Sequence, residues 1–344
     1  MKNKLLVSSA LVSGMILSGS AIAQTTITGS LDLSFRAAER TTAASSAQGF
    51  GREAQVNVQN KGTLNNGFGY AAGFALEFDG TSSESATTGA QSNSISNENV
   101  YIDFIMGNTT LSFGVDHMPN TANNIAPTAS FNQADNVVSV GAAYTNTGGA
   151  NPKESMGVGI IQNIPGFAQV SALFVPNNGD SGAANTKFTA DKSGRESAYE
   201  LGINGNFGIQ GLTARAFYNK EETNSVANVA NAGRRGAVVY GATYNTGALA
   251  IGFDRFVATN TTDQDTTSTN FGISYAVDKN LSVSVNRIKT DIDGTAQEET
   301  IYQYGIGYNL GPVAVSADYT KVNNLAYSVT EDASQFGLHL STKF

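Results

Sequence analysis

The sequence predicts an all-β fold, a transmembrane antiparallel β-barrel of 16 strands. Three observations predict it. A leader-like N-terminus is followed by no helix-length apolar stretch. Polar and apolar residues alternate over segments of about ten residues. Short turns alternate with long polar connections along the whole chain.

Lys2 and Lys4 precede the apolar stretch Leu5–Leu17, and Ala21-Ile22-Ala23 has the small-x-small form of an export-signal cleavage site. Cleavage between Ala23 and Gln24 removes residues 1–23 and leaves 321 of the 344 residues as a single barrel domain, 24–344. No later window holds the ~18 consecutive apolar residues that a spanning helix needs. Only helices and closed barrels satisfy every backbone N–H and C=O in lipid, so an exported chain of this kind is soluble or crosses as strands.

Composition favours the second. Charged residues are 14%, against a typical ~25%. Glycines number 37, hydrophobics make up 40%, and there is no Cys to form a disulfide in an oxidising compartment. Strands that are half apolar around a wet, weakly charged interior account for this balance. Without Lys2 and Lys4, 18 basic residues face 28 acidic ones, a formal charge of −10, which argues against a nucleic-acid partner. An acidic surface beside anionic lipopolysaccharide calls for divalent cations between them.

The period-two pattern is explicit. Ile27, Leu31, Leu33 and Phe35 alternate with Thr28, Ser30, Asp32, Ser34 and Arg36. Ala54, Val56 and Val58 alternate with Glu53, Gln55, Asn57, Gln59 and Lys61. Phe68 to Phe78 places aromatic and aliphatic side chains against Gly69, Ala71, Gly73, Ala75 and Glu77. Val100, Ile102, Phe104 and Met106 oppose Asn99, Tyr101 and Asp103, and Phe271 to Val277 repeats the pattern. Short turns fall at 62–67, 107–109, 163–166, 207–211, 246–247, 278–280 and 309–312. Long polar segments fall at 37–50, 79–97, 116–135, 177–196, 221–234, 258–267, 291–299 and 322–333. Seven short and eight long connections join sixteen strands, the asymmetry of outer-membrane barrels. Both 136–145 and 155–163 read as strand six. The second is preferred, with the first placed in a long inserted segment.

The closing segment alternates Phe336, Leu338, Leu340, Thr342 and Phe344 with Gln335, Gly337, His339, Ser341 and Lys343. This pattern, ending on an aromatic residue, resembles the signal read by the outer-membrane assembly machinery. Phe344 is expected to face lipid and Lys343 the lumen. The 13 Tyr and 18 Phe can furnish interfacial girdles, with Tyr302, Tyr304 and Tyr308 on one face of a strand.

The chain resembles the general trimeric porins of proteobacteria. Thr26–Phe35 resembles their first strand, Arg52–Glu77 the following hairpin with its Gly-Phe-Gly-Tyr-Ala-Ala-Gly-Phe run, Asn99–Gly114 the next, and Gln335–Phe344 the closing strand. The resemblance implies a homotrimer in the outer membrane among lipopolysaccharide and lipid, passing ions and small polar solutes. It also implies a constriction loop folded inward after strand five, here about 115–135 and containing Asp116, His117 and Asp135. Strand parity then gives Arg36, Lys61, Arg215 and Lys343 as basic lumen residues, with Arg52 and Arg235 near strand ends. The acidic lumen residues are Asp32, Glu53, Glu77, Asp103 and Asp318. Gly114-Val115-Asp116 departs from the Gly-Arg pair common in relatives, which argues against a strong basic ladder and an anion preference. Two expectations follow for the pore: weak cation selectivity, or a nearly neutral lumen with most of the acids on surface loops.

No cofactor is expected. Asp263 with Asp265, Asp291 with Asp293, and Glu298 with Glu299 could hold loop-bound Ca²⁺, although solvated loop charge is the commoner explanation. Catalysis is not expected: the chain has two His, His117 and His339, and no Cys. His339 sits in the closing strand rather than in a catalytic loop. The competing functional class is a non-conducting barrel with an adhesive or structural role.

Overall fold

The computed structural model describes residues 23–41, 46–81, 95–115, 117–118, 156–176, 195–223, 235–259 and 265–344. Alternation of apolar and polar residues makes each strand two-faced, and sixteen such strands close on themselves. They are β1 Gln24–Arg40, β2 Ser46–Thr63, β3 Gly69–Thr81, β4 Ile95–Met106, β5 Thr109–Gly114, β6 Gly157–Ile164, β7 Ala168–Val175 and β8 Arg195–Gly205. The second half comprises β9 Leu212–Thr223, β10 Arg235–Thr246, β11 Leu249–Thr259, β12 Asp265–Ala276, β13 Leu281–Ile292, β14 Glu299–Asn309, β15 Val313–Asn323 and β16 Ala333–Lys343. Each strand pairs antiparallel with its sequence neighbours, and β1 pairs with β16 to close the barrel. Closure leaves no strand edge to lipid.

Residues opposite each other in register point to the same face, so the ladders sort every described strand side chain. Leu31, Leu33, Phe253, Phe271, Val283, Val285, Tyr304, Ile306, Tyr319, Phe336, Leu338 and Leu340 are exposed on the outer face. The inner face holds their polar alternates. Closure is tight where β1 meets the end of the chain. Gly29 N–H donates to the Phe344 carbonyl at 2.8 Å, and Phe344 N–H donates back to Gly29 at 3.0 Å. A Cβ on Gly29 would lie 2.5 Å from the Phe344 ring and 2.9 Å from the Gln55 backbone oxygen, so only glycine fits there.

The short connections gather at one end and the long ones at the other, as the pattern predicts. Gly157–Ile164 pairs with both β5 and β7, which makes it strand six; 136–145 lies outside the described residues. One expectation is corrected. Residues 37–40 and 46–50 belong to β1 and β2 rather than to a long loop, because the alternation of Phe35 and Ala37 with Arg36, Ala38 and Arg40 continues past the apolar band. The wall is therefore uneven: β1 and β2 have 17 and 18 residues, whereas β5, β6 and β7 have 6, 8 and 8.

Candidate functional site

The inner face of the barrel is the candidate site, and strand register assigns its charges. Asp32 lies opposite Glu53 and Ser341, and Arg36 opposite Gly49 and Gly337. Lys61 is opposite Ala71, which is opposite Asp103, while Glu77 is opposite Gln55. Lys343 pairs with Ser30, and Asp318 with Gly305 and Gly337. All of these lie on the inner face. Arg215 is inner as well, opposite Asn204 and Gly241; the carboxylates of Asp254 and then Glu200 act on its guanidinium, which lies 6.0 Å from the centre of the Phe217 ring. Arg235 holds the register position opposite Glu221.

Arg52 corrects the prediction. It is opposite Leu33 and Gly80, shares the face of Phe50, and stands outside the barrel. Parity around Ala54, Val56 and Val58 already contained this result, since position 52 continues that row. Glu200, Glu221, Asp254 and Glu299 are inner acids beyond those expected, all buried on the inner side. Alternation along 197–204 and 250–258 carries the signal for the first and third.

A polar relay crosses the closing seam. Asp318 Oδ1 lies 2.7 Å from His339 Nε2, and His339 Nδ1 lies 2.9 Å from Ser34 Oγ. A carboxylate accepts, so Nε2 donates to Asp318, and Nδ1 shares a hydrogen bond with the Ser34 hydroxyl. Thr320 Oγ1 donates to the other Asp318 oxygen at 3.3 Å. Three strands, β15, β16 and β1, are thus tied by side chains where the two ends of the sheet meet. The sequence could not bring Ser34 and His339 together, because they are 305 residues apart.

After β5 the chain turns toward the lumen. His117 stacks on Tyr101, with ring centres 3.5 Å apart and planes 1° from parallel, and its Nε2 is 3.0 Å from Asp103 Oδ2. Gln59 donates to the Tyr101 hydroxyl, which fixes that ring from the neighbouring wall. Met118 is buried with Leu173, Val175 and Ala198, all inner-face residues, and packs against Gly159. Asp116 and Asp135 lie outside the described residues.

The rim at the long-connection end is apolar inside. A 3-10 turn, Leu325–Tyr327, sets Leu325 among Ala38, Ile288, Ile301, Val322 and Ala333. Ala326 N–H donates to Glu299 Oε2 at 2.9 Å, and Leu325 N–H to the Glu331 carbonyl at 2.7 Å. Asn324, Ala326 and Tyr327 all have positive φ, between 53° and 62°, a strained run held by these contacts. Burial first, and then the Glu299 and Asp291 carboxylates, push the Tyr327 phenol up to about 12. Among the described residues no three acidic or histidine side chains converge as a metal-ligand set, and Asp263 lies outside them.

Comparison with known proteins follows from this geometry. A family model described as Gram-negative porin matches residues 8–327. A search of curated sequences finds no match. Among solved structures, an anion-selective porin from Comamonas acidovorans is 13% identical, with a TM-score of 0.67 over 94% of this chain and 100% of that one. Salmonella typhi OmpF, solved in complex with daunomycin, is 15% identical, with a TM-score of 0.66 over 93% of this chain and 98% of that one. The outer membrane channel DcaP of Acinetobacter baumannii is 11% identical, with a TM-score of 0.62 over 94% and 97%. At these identities the likeness is one of fold.

Proposed function

The chain belongs to the Gram-negative porins, outer-membrane barrels that form channels for passive diffusion of solutes, and we propose that its pore favours small cations and polar solutes over anions. One observation carries the proposal: the acidic excess of the inner wall. Asp32, Glu53, Glu77, Asp103, Glu200, Glu221, Asp254, Glu299 and Asp318 line it against Arg36, Arg40, Lys61, Arg215 and Lys343. Fixed charge of one sign raises the local concentration of the opposite ion. The fold does not decide this, since the Comamonas relative is described as anion-selective. Reversal potential in a planar bilayer under a KCl gradient tests it. A cation-favouring sign is expected, and anion preference overturns it.

The segment containing Asp116, His117 and Asp135 is proposed to fold inward and narrow the pore. The His117–Tyr101 stack and the seating of Met118 on the inner wall support this reading. Deleting 121–134 should raise single-channel conductance, and an unchanged value would sink the idea. The functional unit is proposed to be a homotrimer exported by a signal ending at Ala23, with Phe344 read by the assembly machinery and lipopolysaccharide and lipid around the barrel. Light scattering of the detergent-solubilised protein tests the trimer. The Ser34–His339–Asp318 relay is read as a clamp rather than a hydrolytic triad. Ser34 is 2% exposed. Its strand is paired on both sides, to Gly51 and to His339, so its backbone supplies no donor for an oxyanion.

A further inference from the structure

On the inner wall of β1–β4 the charged positions are interrupted. Lys61 and Asp103 lie toward the short turns, and Glu77 and Glu53 toward the long connections. Between them register sets two rungs, Thr26, Gln59, Gly73 and Tyr101 in one, and Thr28, Asn57 and Ala75 in the next. A cavity of about 200 Å³ opens there. Its polar lining is Thr26, Thr28, Asn57, Gln59, Asn99 and Tyr101, hydroxyls and amides throughout, and Val58 and Phe74 complete it. That volume is worth about seven waters, room for one small organic solute.

The backbone is shaped to keep the cavity open. A Cβ on Gly73 would lie 2.8 Å from the Val58 carbonyl oxygen and 3.0 Å from the Tyr101 ring, so no side chain can rise from that position. The β3–β4 ladder slips between Gly73 and Ala75, and Asn99, beside the slip, has a φ of 52°. A bulge re-aims a side chain. A left-handed backbone is strained for any residue but glycine, and such strain gathers at ligand sites. Among the described residues the side chains of Thr26, Thr28 and Asn99 have no hydrogen-bond partner, although all three line the cavity. Asn57 donates to Gln55 Oε1 at 3.2 Å, and Gln59 donates to the Tyr101 hydroxyl. Both amide carbonyls are left as acceptors.

This lining selects by chemistry. It offers donors and acceptors side by side, and a hydroxyl group uses both at once. An ion or a zwitterion would shed water here and meet no opposite charge on the lining. A flat aromatic solute would need a ring to stack on, but His117 already covers one face of Tyr101. We infer that this cavity is a saturable subsite for a neutral, polyhydroxylated solute the size of a monosaccharide. The inference rests on the channel reading, since the solute reaches the cavity through the lumen, and it adds a preference that the charged wall does not supply.

The test uses the full chain, folded in a detergent without a sugar headgroup, with D-glucose as the probe and saturation-transfer NMR as the readout. The glucose signal should saturate with concentration. D-Gluconate, which carries a charge, and sucrose, which is too large, should compete at least tenfold more weakly than unlabelled glucose competes with itself. N99G removes the amide and suits the backbone angle, and T28V removes a hydroxyl at constant shape. Together they should weaken glucose binding at least tenfold. S284A, which removes an inner-wall hydroxyl on β13, should bind as wild type does. A signal that rises linearly without saturating overturns the inference. So does equal binding by N99G/T28V and wild type, an equal loss in S284A, or gluconate competing as well as glucose. Heat-modifiable mobility reports whether the double variant is folded. If it is not, N99G and T28V alone, each expected to weaken binding at least threefold, carry the test. Conductance of wild type is read in parallel. A barrel that binds glucose but does not conduct refutes the channel reading, whereas one that conducts without saturable glucose binding refutes this inference alone.

Discussion

Along the same few strands, outward positions carry Arg255, Arg287, Lys289 and Lys321, whereas inward positions carry Asp254, Glu299 and Asp318. Asp254 and Arg255 are adjacent on β11, and Asp318 and Lys321 are three positions apart on β15, yet the sheet lies between them. The outer set lies beside aromatic residues at the edge of an apolar band, and the inner set beside hydroxyl and amide side chains such as Ser316, Thr320 and Asn270. A net charge of −8 therefore describes neither surface. The difference teaches that a period-two strand sorts charge as well as hydrophobicity, and that each face answers to a different medium. Inner charge should govern ion passage. Outer charge should govern lipid contact and leave passage alone.

The largest effect should come from breaking that division on the inside. E53K/E77K replaces two inner carboxylates by ammonium groups. A unit charge at 4 Å in water is worth about 1 kcal/mol, roughly a fivefold change in local ion concentration. The cation-to-anion permeability ratio should fall by at least about threefold, read from reversal potentials, whereas R287Q on the outside should leave it unchanged. A ratio that moves with R287Q and not with E53K/E77K would reverse the assignment of faces.

Next in size is the seam. His339 is 1% exposed and bonded on both ring nitrogens. H339A leaves Ser34 and Asp318 buried without that partner, at a cost of about 1–3 kcal/mol for each unmet group. On the outer face of the same strand Leu340→Val only exchanges apolar contact with lipid and should stay within about 0.5 kcal/mol. Urea unfolding from lipid vesicles compares the two, and equal midpoints would remove the clamp from the account.

Much of this contrast is legible in the amino-acid sequence alone. Strand count, connection pattern and closing strand follow from alternation, because a lipid-facing sheet cannot tolerate a slipped parity. Parity places Asp32, Arg36, Glu77 and Arg215 on the inner side for the same reason. The expectation fails at Arg52, where proximity to a strand end outweighed the row of Ala54, Val56 and Val58. The seam relay is out of reach, since register between β1 and β16 depends on how the barrel closes and not on any local pattern. The apolar inner rim under Leu325 escapes because an inward connection reverses the rule that lumen positions are polar.

Smaller still is the effect expected at that rim. The Tyr327 phenol, held up to about 12, is neutral in the folded chain while an unfolded chain ionises near 10. Its contribution is complete below pH 10 and is lost as pH rises toward 12. The 324–332 connection should loosen over that window, detected as faster proteolysis there. Y327F should abolish the alkaline step without changing ion selectivity at neutral pH. A step that persists in Y327F assigns it to another group.

The smallest effect belongs to Asp278, an acid on neither face, in the turn between β12 and β13. Its Oδ1 accepts the N–H of Asn280 at 2.7 Å and of Leu281 at 2.9 Å, and these two bonds hold its carboxyl below the ordinary 3.8. A depressed carboxylate stabilises the fold above pH 3.8 and loses that contribution as pH falls through its folded value. D278A should therefore unfold slightly earlier than wild type at neutral pH, and the difference should vanish in acid. Because the charge is spent on backbone N–H groups at the short-turn end, the same variant should leave the reversal potential where it was. A shift as large as that of E53K/E77K would mean that total charge, rather than the inner wall, sets the selectivity, and the contrast between the two faces would lose its functional meaning.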